Sequence, residues 1–212
     1  IAQVLRQHRR FLATPIVFLS REGDRDLQLA AMRPGVDDFL TKPIRSEHLA
    51  EAVLLRAERG RALRAAMQAD SLTGLLNHAH FKQRLAGELL RAHRQGGPLA
   101  VALVDLDHFK QVNDRYGHHG GDRVIRTLSR LLTRRLRRAD VVGRYGGEEF
   151  AVVLPDTDGV TAVAVLDEVR EAFSRIVFSE GGAGFAVTFS AGVAARSEGA
   201  PSTVSEMLGR AD

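Results

Sequence analysis

The chain contains no cysteine and no tryptophan, and aromatic residues make up only 6% of its 212 residues. The absence of cysteine excludes disulfides, thiolate metal sites and cysteine nucleophiles, and it fits a reducing compartment, so we expect a cytoplasmic protein. Long apolar runs are also absent: LAVALV at 99–104 and FAVVL at 150–154 are far too short to cross a bilayer. We therefore expect no membrane-spanning segment within these residues. Because the first residue is Ile1 and not methionine, they do not report on a signal segment upstream.

The chain has no large excess of positive charge, since its formal net charge is only +4, but arginines cluster in RRLRRAD at 134–140. Arginine forks suit phosphate groups and guanine edges. The alternative is that this run is simply the solvated face of a helix. Nucleic acid binding would need a broader basic face with interleaved aromatic residues, so we expect no nucleic-acid partner.

The length supports one large domain, or one domain plus a fragment. In the N-terminal part, PIVFLS at 15–20 and VDDFLT at 36–41 are typical of strands, and DRDLQLAAMRPG between them predicts a helix that stops at Pro34-Gly35. This order predicts a parallel sheet with a crossover helix. Two strands do not make a stable doubly wound domain, so the N-terminal part is predicted to be incomplete.

A long helix is predicted from Ser46, which is a suitable N-cap. Its apolar residues recur at nearly heptad spacing, at Leu49, Val53, Ala57, Leu63 and Met67. This stripe favours a stalk that pairs with its own copy in a dimer, although Gly60 weakens the helix by about 1 kcal/mol relative to alanine. The alternative is an ordinary helix packed on its own domain.

A second domain is predicted to begin near Asp70, with strands and helices alternating to the end of the chain. The predicted elements are a helix to about Gln95, a strand from Leu99, a helical start at HFKQVNDRYG with a helix over about 119–137, a strand pair broken at Gly146-Gly147, a helix over about 159–176, a strand at 186–195 and a helical start near Ser202.

Two acids, Asp105 and Asp107, follow an apolar strand at its C-terminal end, where α/β sheets usually place chemistry. We expect one of them to be structural. The helix that starts directly after them has free N–H groups, and Lys110 lies in its first turn, so this turn is a natural phosphate seat.

Adjacent acids, Glu148 and Glu149, follow two glycines between strand-like runs, a composition typical of a two-residue hairpin whose turn needs positive φ. Neighbouring carboxylates repel each other unless a cation or a proton relieves the charge. Magnesium binds one or two carboxylates together with substrate phosphates, as Asp105, Glu148 and a triphosphate would provide. These residues alone favour a magnesium-dependent nucleotide enzyme, and the alternative is a solvated acidic turn.

The spelled-out motifs are more specific. GGEEF at 146–150 resembles the signature of the GGDEF family of diguanylate cyclases in its glutamate form, and DLDHFKQVND at 105–114, GHHGGD at 117–122 and DSLTGLLN at 70–77 resemble the family's other segments in order and spacing. The resemblance implies an α/β (α+β) nucleotide-cyclase-like fold: a central, largely antiparallel sheet flanked by helices, preceded by a partial doubly wound domain and a helical linker.

The same resemblance implies roles for individual residues. The metal ligands would be Asp105, the backbone carbonyl of Leu106 and Glu148, with Glu148 also the proton acceptor and Glu149 its helper. Lys110 would steady the phosphates. The nucleotide would be bound by His108, Phe109, Asn113, His118 and Asp122, with Asn113 and Asp122 reading the guanine edge. The alternative interpretation is that Asn113 is a turn residue and Asp122 a helix cap.

The implied activity is that of a nucleotidyltransferase that condenses two GTP into cyclic di-GMP and two pyrophosphates. Two Mg²⁺ ions per half-site are implied, and Mn²⁺ could replace them. Because two nucleotides attack each other, two half-sites must face each other in a homodimer.

Arg137 and Asp140 resemble the family's RxxD motif, which binds the product and inhibits the enzyme, and Arg144 is expected to assist. An arginine and an aspartate at this spacing could clamp the guanine and phosphate of cyclic di-GMP. The alternative is a local ion pair at a helix end, which contributes about 0 to 1 kcal/mol when exposed.

The N-terminal part resembles the second half of a response-regulator receiver. Ser20 would be its switch hydroxyl, and Lys42, which precedes Pro43, follows the last strand as the receiver's lysine does. This implies regulation by phosphorylation through a histidine kinase, with the acceptor aspartate upstream of Ile1. The predicted organisation is a partial receiver at 1–55, a helical linker at 56–69 and the cyclase domain at 70–212.

Two departures from the family pattern stand out. His78 replaces the usual arginine, and the chain ends at Arg210-Ala211-Asp212, before the lysine and arginine that contact phosphates in the family. We therefore expect the C-terminal end of the domain to be missing. The competing hypotheses are a GGDEF-type receptor for GTP or cyclic di-GMP without turnover, a cyclase that acts on one nucleotide, and a purely structural dimerisation protein.

Overall fold

The structure, a computed structural model, describes residues 2–8, 11–21, 23, 25–32, 35–180, 183–196 and 203–212. The chain divides into two compact units, Ile1–Met67 and Gln68–Asp212. Within the described residues, no helix is both long enough and apolar enough to cross a membrane. The predicted helix stop at Pro34 and the helical start at Ser202 lie outside the described residues.

The first unit has the predicted order of strand, helix and strand, with a short helix before it. Its elements are α1 (Ala2–Gln7), β1 (Val17–Ser20), α2 (Arg25–Met32), β2 (Asp38–Thr41) and α3 (Ser46–Gln68). The strands β1 and β2 pair in parallel, with Val17 opposite Asp38 and Ser20 opposite Thr41. The predicted parallel pairing is therefore confirmed.

The long helix α3 begins at Ser46, as predicted, and most of the predicted linker lies inside it. Gly60 in its middle is buried, and a Cβ there would lie 2.8 Å from the Ala13 carbonyl oxygen and 2.9 Å from Pro15. The glycine thus lets the helix approach the preceding segment. On the same helix, Val53, Leu63 and Met67 are exposed, so part of the apolar stripe lies at the surface of the described structure.

The second unit is a four-stranded sheet with helices on both faces. Its elements are α4 (His78–Gln95), β3 (Leu99–Leu106), α5 (Phe109–Arg135), β4 (Val141–Arg144), β5 (Glu149–Pro155), α6 (Gly159–Ser174), β6 (Phe178–Glu180), β7 (Ala183–Phe185), β8 (Phe189–Ala195) and α7 (Val204–Ala211). The sheet has the order β4-β5-β3-β8 and every neighbouring pair is antiparallel. The predicted fold of this unit is confirmed.

The core of the second unit has two parts, one on each face of the sheet. On β3, Ala102 and Val104 belong to a cluster with α5 and α6, whereas Leu99 and Val101 belong to a cluster with α4 and α7. Successive strand residues point to opposite faces, and a strand covered on both faces becomes apolar throughout. The continuous apolar run LAVALV is therefore explained by the position of β3, a central strand between two layers of helices.

The predicted helical start at HFKQVNDRYG and the helix predicted over about 119–137 are the two parts of α5, on either side of a break at Gly117. Two details differ from the predictions. Strand β8 begins at Phe189 rather than at residue 186. The small antiparallel pair β6 and β7, in which Phe178 faces Phe185, was not predicted. Strands of three residues are too short to give a readable alternation.

Candidate active site

The acids of the two central motifs meet at one end of the sheet. Asp105 lies near the end of β3, directly opposite Glu149 at the start of β5. Burial raises the pKa of Asp105 above its usual value, and the charges of Glu148 and Asp107 raise it further, against a hydrogen bond from the Leu106 N–H. Asp105, Glu148 and Glu149 therefore lie at the same end of the sheet, and the negative charges of Glu148 and Asp107 act on Asp105.

The second acid of the DLD segment is bound within the protein. The Asp107 carboxylate accepts hydrogen bonds from the hydroxyls of Thr188 and Ser190, and the Asp107 N–H donates to the Thr188 carbonyl at 3.0 Å. Asp107 therefore fastens the end of β3 to the start of β8. This agrees with the expectation that one of the two acids is structural.

The turn before Glu149 is not the predicted two-residue hairpin. The N–H groups of Tyr145 and Gly146 both donate to the Glu149 carbonyl, at 2.8 and 3.2 Å, so residues 146–148 form the loop. Neither Gly146 nor Gly147 has a positive φ. A Cβ at Gly146 would instead overlap the Glu149 carboxylate, which would have to shift to accommodate it. Gly146 therefore leaves space for the Glu149 carboxylate, and its backbone does not adopt the left-handed conformation.

Arg144 links this loop to the DSLTGLLN segment, a contact that sequence reasoning missed. Its guanidinium donates to the Asp70 carboxylate at 3.2 Å and to the Gly147 carbonyl at 2.7 Å. Burial alone would raise the pKa of Asp70, but hydrogen bonds from Thr73 and the charge of Arg144 outweigh it and lower the pKa. Arg144 was expected to assist the RxxD motif, whereas here its guanidinium is bound to Asp70 and Gly147.

The helix α5 begins immediately beyond the acids. Its N-cap, His108, has a left-handed backbone with φ 56°, and its side chain makes no capping hydrogen bond. Since the first N–H groups of a helix have no partner within the helix, this end can bind an anion. Phe109 is buried and Lys110 is exposed on the first turn, which is the arrangement expected of a phosphate seat.

A kink in α5 brings the two remaining motif segments together. Gly117 has φ 68° and ψ 172°, a conformation that interrupts the helix and favours glycine. Across the kink, a Cβ on Gly121 would overlap the Asn113 side-chain oxygen and would lie 3.0 Å from the Phe109 ring. Asn113 therefore lies against the residue that precedes Asp122, and His118 is exposed beside the kink.

A cleft of about 390 Å³ adjoins the acids on the side of the sheet that faces α7. It is lined by Asp105 and Glu149, by Ser190 on β8 and by the C-terminal Asp212. The opening leaves the two facing carboxylates accessible to a ligand.

The acids fit a divalent metal. No group of three or more His, Asp or Glu side chains in the described part of the chain could hold an ion. The candidate side-chain donors are instead Asp105 and Glu148, whose mutual repulsion contributes to the raised pKa of Asp105. Magnesium commonly uses one or two carboxylates and completes its coordination with phosphate oxygens and water.

The RxxD residues lie elsewhere, after the C-terminal end of α5. The Asp140 carboxylate accepts a hydrogen bond from the Arg137 N–H at 2.7 Å, and both residues line a cavity of about 160 Å³. Burial raises the pKa of Asp140, and its contacts with Arg137 oppose this. The structure thus brings the two residues together, at the other end of α5 from the acids.

In the first unit, the residues that resemble receiver switch residues are adjacent. Ser20 and Thr41 are opposite each other at the ends of the parallel strands, and the Lys42 N–H donates to the Ser20 carbonyl at 2.7 Å. Both side chains therefore belong to the same C-terminal sheet edge.

Comparison with known proteins agrees with this geometry. Residues 67–212 match the family described as diguanylate cyclase, GGDEF domain. This match covers more than half of the chain, so the chain belongs to the GGDEF diguanylate cyclase family.

Particular relatives are similar over different parts of the chain. Diguanylate cyclase DgcP of Pseudomonas aeruginosa is 44% identical over 126 residues, which is 59% of this chain and 19% of DgcP. The response regulator PleD of Caulobacter vibrioides is 34% identical over 221 residues, covering 98% of this chain and 48% of PleD. The chain thus spans less than half the length of both curated relatives.

A solved structure is similar as well. The coiled coil and GGDEF domain of DgcB from Caulobacter crescentus, in complex with c-di-GMP, aligns with a TM-score of 0.70 and 30% sequence identity. The alignment covers 78% of this chain and 87% of that chain.

Proposed function

We propose that this protein condenses two molecules of GTP into cyclic di-GMP and two pyrophosphates. The observation that carries the proposal is the position of Asp105, opposite Glu149 and next to Glu148, just before the free N-terminal end of α5. Acids and a phosphate seat side by side suit a nucleoside triphosphate and its metal.

In this proposal, the chain's own residues bind and orient the triphosphate. The first N–H groups of α5 and the Lys110 ammonium hold phosphate oxygens, which aligns the α-phosphate for attack. Glu148 accepts the proton of the attacking 3′-hydroxyl, and Glu149 keeps the site negative beside it. When bound by Asp105, Glu148 and the Leu106 carbonyl, Mg²⁺ or Mn²⁺, two ions per half-site, would neutralise phosphate charge and lower the pKa of the hydroxyl.

Guanine selection is assigned to the residues brought together by the kink. Asn113 and Asp122 offer acceptors and donors for the guanine edge, while His108 and Phe109 lie at the start of α5 and His118 follows the kink. A carboxylate that accepts from guanine N1–H and N2–H₂ would be left without its partners by adenine. In this structure Asp122 forms an ion pair with Arg126 at 3.5 Å, which the base would have to share.

The reaction requires a homodimer, because each half-site holds one GTP. The exposed residues Val53, Leu63 and Met67 on α3 provide an apolar stripe for the pairing. The DgcB structure, which comprises a coiled coil and a GGDEF domain, supports a helical stalk before the GGDEF domain of this chain.

Two levels of regulation complete the proposal. Cyclic di-GMP inhibits its own synthesis by binding at Arg137 and Asp140. The N-terminal unit belongs to a receiver that a histidine kinase phosphorylates, and Ser20 and Lys42 act as its switch residues. The similarity to a response regulator over nearly the whole chain supports this assignment.

The test is incubation of the purified protein with GTP and Mg²⁺, with cyclic di-GMP followed by chromatography and Glu148→Ala measured alongside. We expect product from the wild type and a loss of at least about a hundredfold in the variant, as for removal of a general base. A folded, dimeric wild type that binds GTP but forms no product would instead establish a receptor.

A further inference from the structure

The cavity beside Arg137 and Asp140 is also lined by residues outside the RxxD motif. Its lining comes from the end of α5, the loop after it, the end of β5 with the residues that follow, and one side of α6. The lining residues are Arg135, Leu136, Arg137, Asp140, Leu154, Thr157, Val165, Glu168 and Val169. Helix α6 therefore contributes a charged residue, Glu168, to this cavity.

The charged groups of the cavity balance. Arg135 and Arg137 supply two positive charges, and Asp140 and Glu168 supply two negative charges. One Asp140 oxygen already accepts the Arg137 N–H at 2.7 Å. Glu168 is exposed, and within the described residues its carboxylate has neither a hydrogen bond nor an ion pair. Its carboxylate is thus a solvent-exposed negative charge at the cavity.

We propose that Glu168 weakens product binding in this cavity and so raises the cyclic di-GMP concentration at which inhibition begins. This inference rests on the proposed inhibitory function of Arg137 and Asp140. Cyclic di-GMP carries two phosphodiester charges, and a like charge on the cavity wall opposes its binding. Without the Glu168 charge, the four groups would have a net charge of +1 instead of zero.

Isothermal titration calorimetry of the whole chain with cyclic di-GMP tests this inference. Glu168→Gln should bind the product roughly threefold to tenfold more tightly than the wild type, as expected for one partly screened charge. The product concentration for half-inhibition should fall by the same factor. The difference should shrink in high salt, because salt screens exposed charges.

Asp167→Asn is the matched control. Asp167 is the preceding residue on α6, it pairs with Arg170 at 2.5 Å, and it is not part of the cavity lining. Both variants raise the net charge by one, so equal tightening in the two would overturn the inference. Unchanged or weaker binding by Glu168→Gln would also overturn it, and weaker binding would identify Glu168 as an acceptor for the guanine edge.

Arg137→Ala separates this inference from the function on which it rests. We expect this variant to lose at least about tenfold in affinity, since a charged hydrogen-bond donor to the ligand is removed. If Arg137→Ala binds cyclic di-GMP like the wild type, the cavity is not the product site and the proposed feedback inhibition fails. If only Arg137→Ala changes the affinity, the feedback site stands and the role of Glu168 is refuted.

Discussion

At the level of single residues, small side chains and one arginine determine where the reactive groups lie. Gly146 leaves room for the Glu149 carboxylate, and Gly121 leaves room for the Asn113 amide. Arg144 joins the Asp70 carboxylate to the Gly147 carbonyl and thereby holds the loop that carries Glu148. In the proposed mechanism, these contacts position groups that would bind the substrate.

Gly121→Ala should displace Asn113, because the new methyl group would overlap the amide oxygen. Loss of one hydrogen bond to the base is expected to raise the KM for GTP about tenfold. Steady-state kinetics would measure this effect. The control is Gly87→Ala on α4, where a Cβ meets nothing within 4 Å and should stabilise the helix by about 1 kcal/mol. An unchanged KM in Gly121→Ala would exclude this role for Asn113.

Asp70→Asn should reduce stability in a pH-dependent way. Because the folded-state pKa of Asp70 lies below its usual value of 3.8, the ionised carboxylate stabilises the folded protein above that pH. The stabilisation is lost as the pH falls through the folded-state pKa. Urea unfolding at about pH 7 should show the variant less stable by about 1 to 3 kcal/mol. The difference should shrink below about pH 4, and a difference independent of pH would contradict the pairing with Arg144.

At the level of elements, the candidate site residues lie at the ends of strands and helices. The β4–β5 hairpin and the start of α5 both lie at the end of β3 where Asp105 is located, so three elements converge on one site. The other end of α5 leads to Arg137 and Asp140. A single kinked helix thus separates the proposed catalytic and inhibitory sites.

The exposed stripe of α3 gives a prediction about assembly. Leu63→Glu should convert the dimer into monomers and reduce cyclic di-GMP synthesis by at least about tenfold, because a charge at a buried apolar interface is costly. Light scattering and the synthesis assay would be compared. Val160→Glu on α6 is the control, since Val160 is 83% exposed and lies outside the stripe. A dimeric Leu63→Glu protein would show that the pairing surface lies elsewhere.

At the level of the whole molecule, the chain consists of two units, each with its own sheet. The larger unit covers both faces of its sheet, and residue Leu76 bridges to Gly143 along the edge strand β4. The larger unit thus has the features of a domain that folds independently.

Residues 68–212 expressed alone should unfold in one cooperative transition and still bind GTP. Their specific activity should fall at least about tenfold, because the stalk that raises the local concentration of the second half-site is absent. Calorimetry and the synthesis assay measure the two quantities. Full activity in the isolated unit at low protein concentration would mean that α3 is not needed for pairing.

The sequence by itself predicted most helices and strands of the second unit and the acids that meet at one end of its sheet. Short apolar runs and the motif spacing were sufficient because strand periodicity, helix starts and the order of GGEEF and DLDHF are local properties. The family could be recognised for the same reason.

Only the tertiary structure decided which partners the motif residues have. That Asp107 is bound by Thr188 and Ser190, that Arg144 reaches Asp70, and that Glu168 lines the RxxD cavity depends on residues distant in sequence. The turn at Gly146 was predicted wrongly because the composition of a glycine pair indicates a left-handed turn, whereas the actual requirement is space for a side chain. Such requirements arise from packing and have no local signal in the sequence.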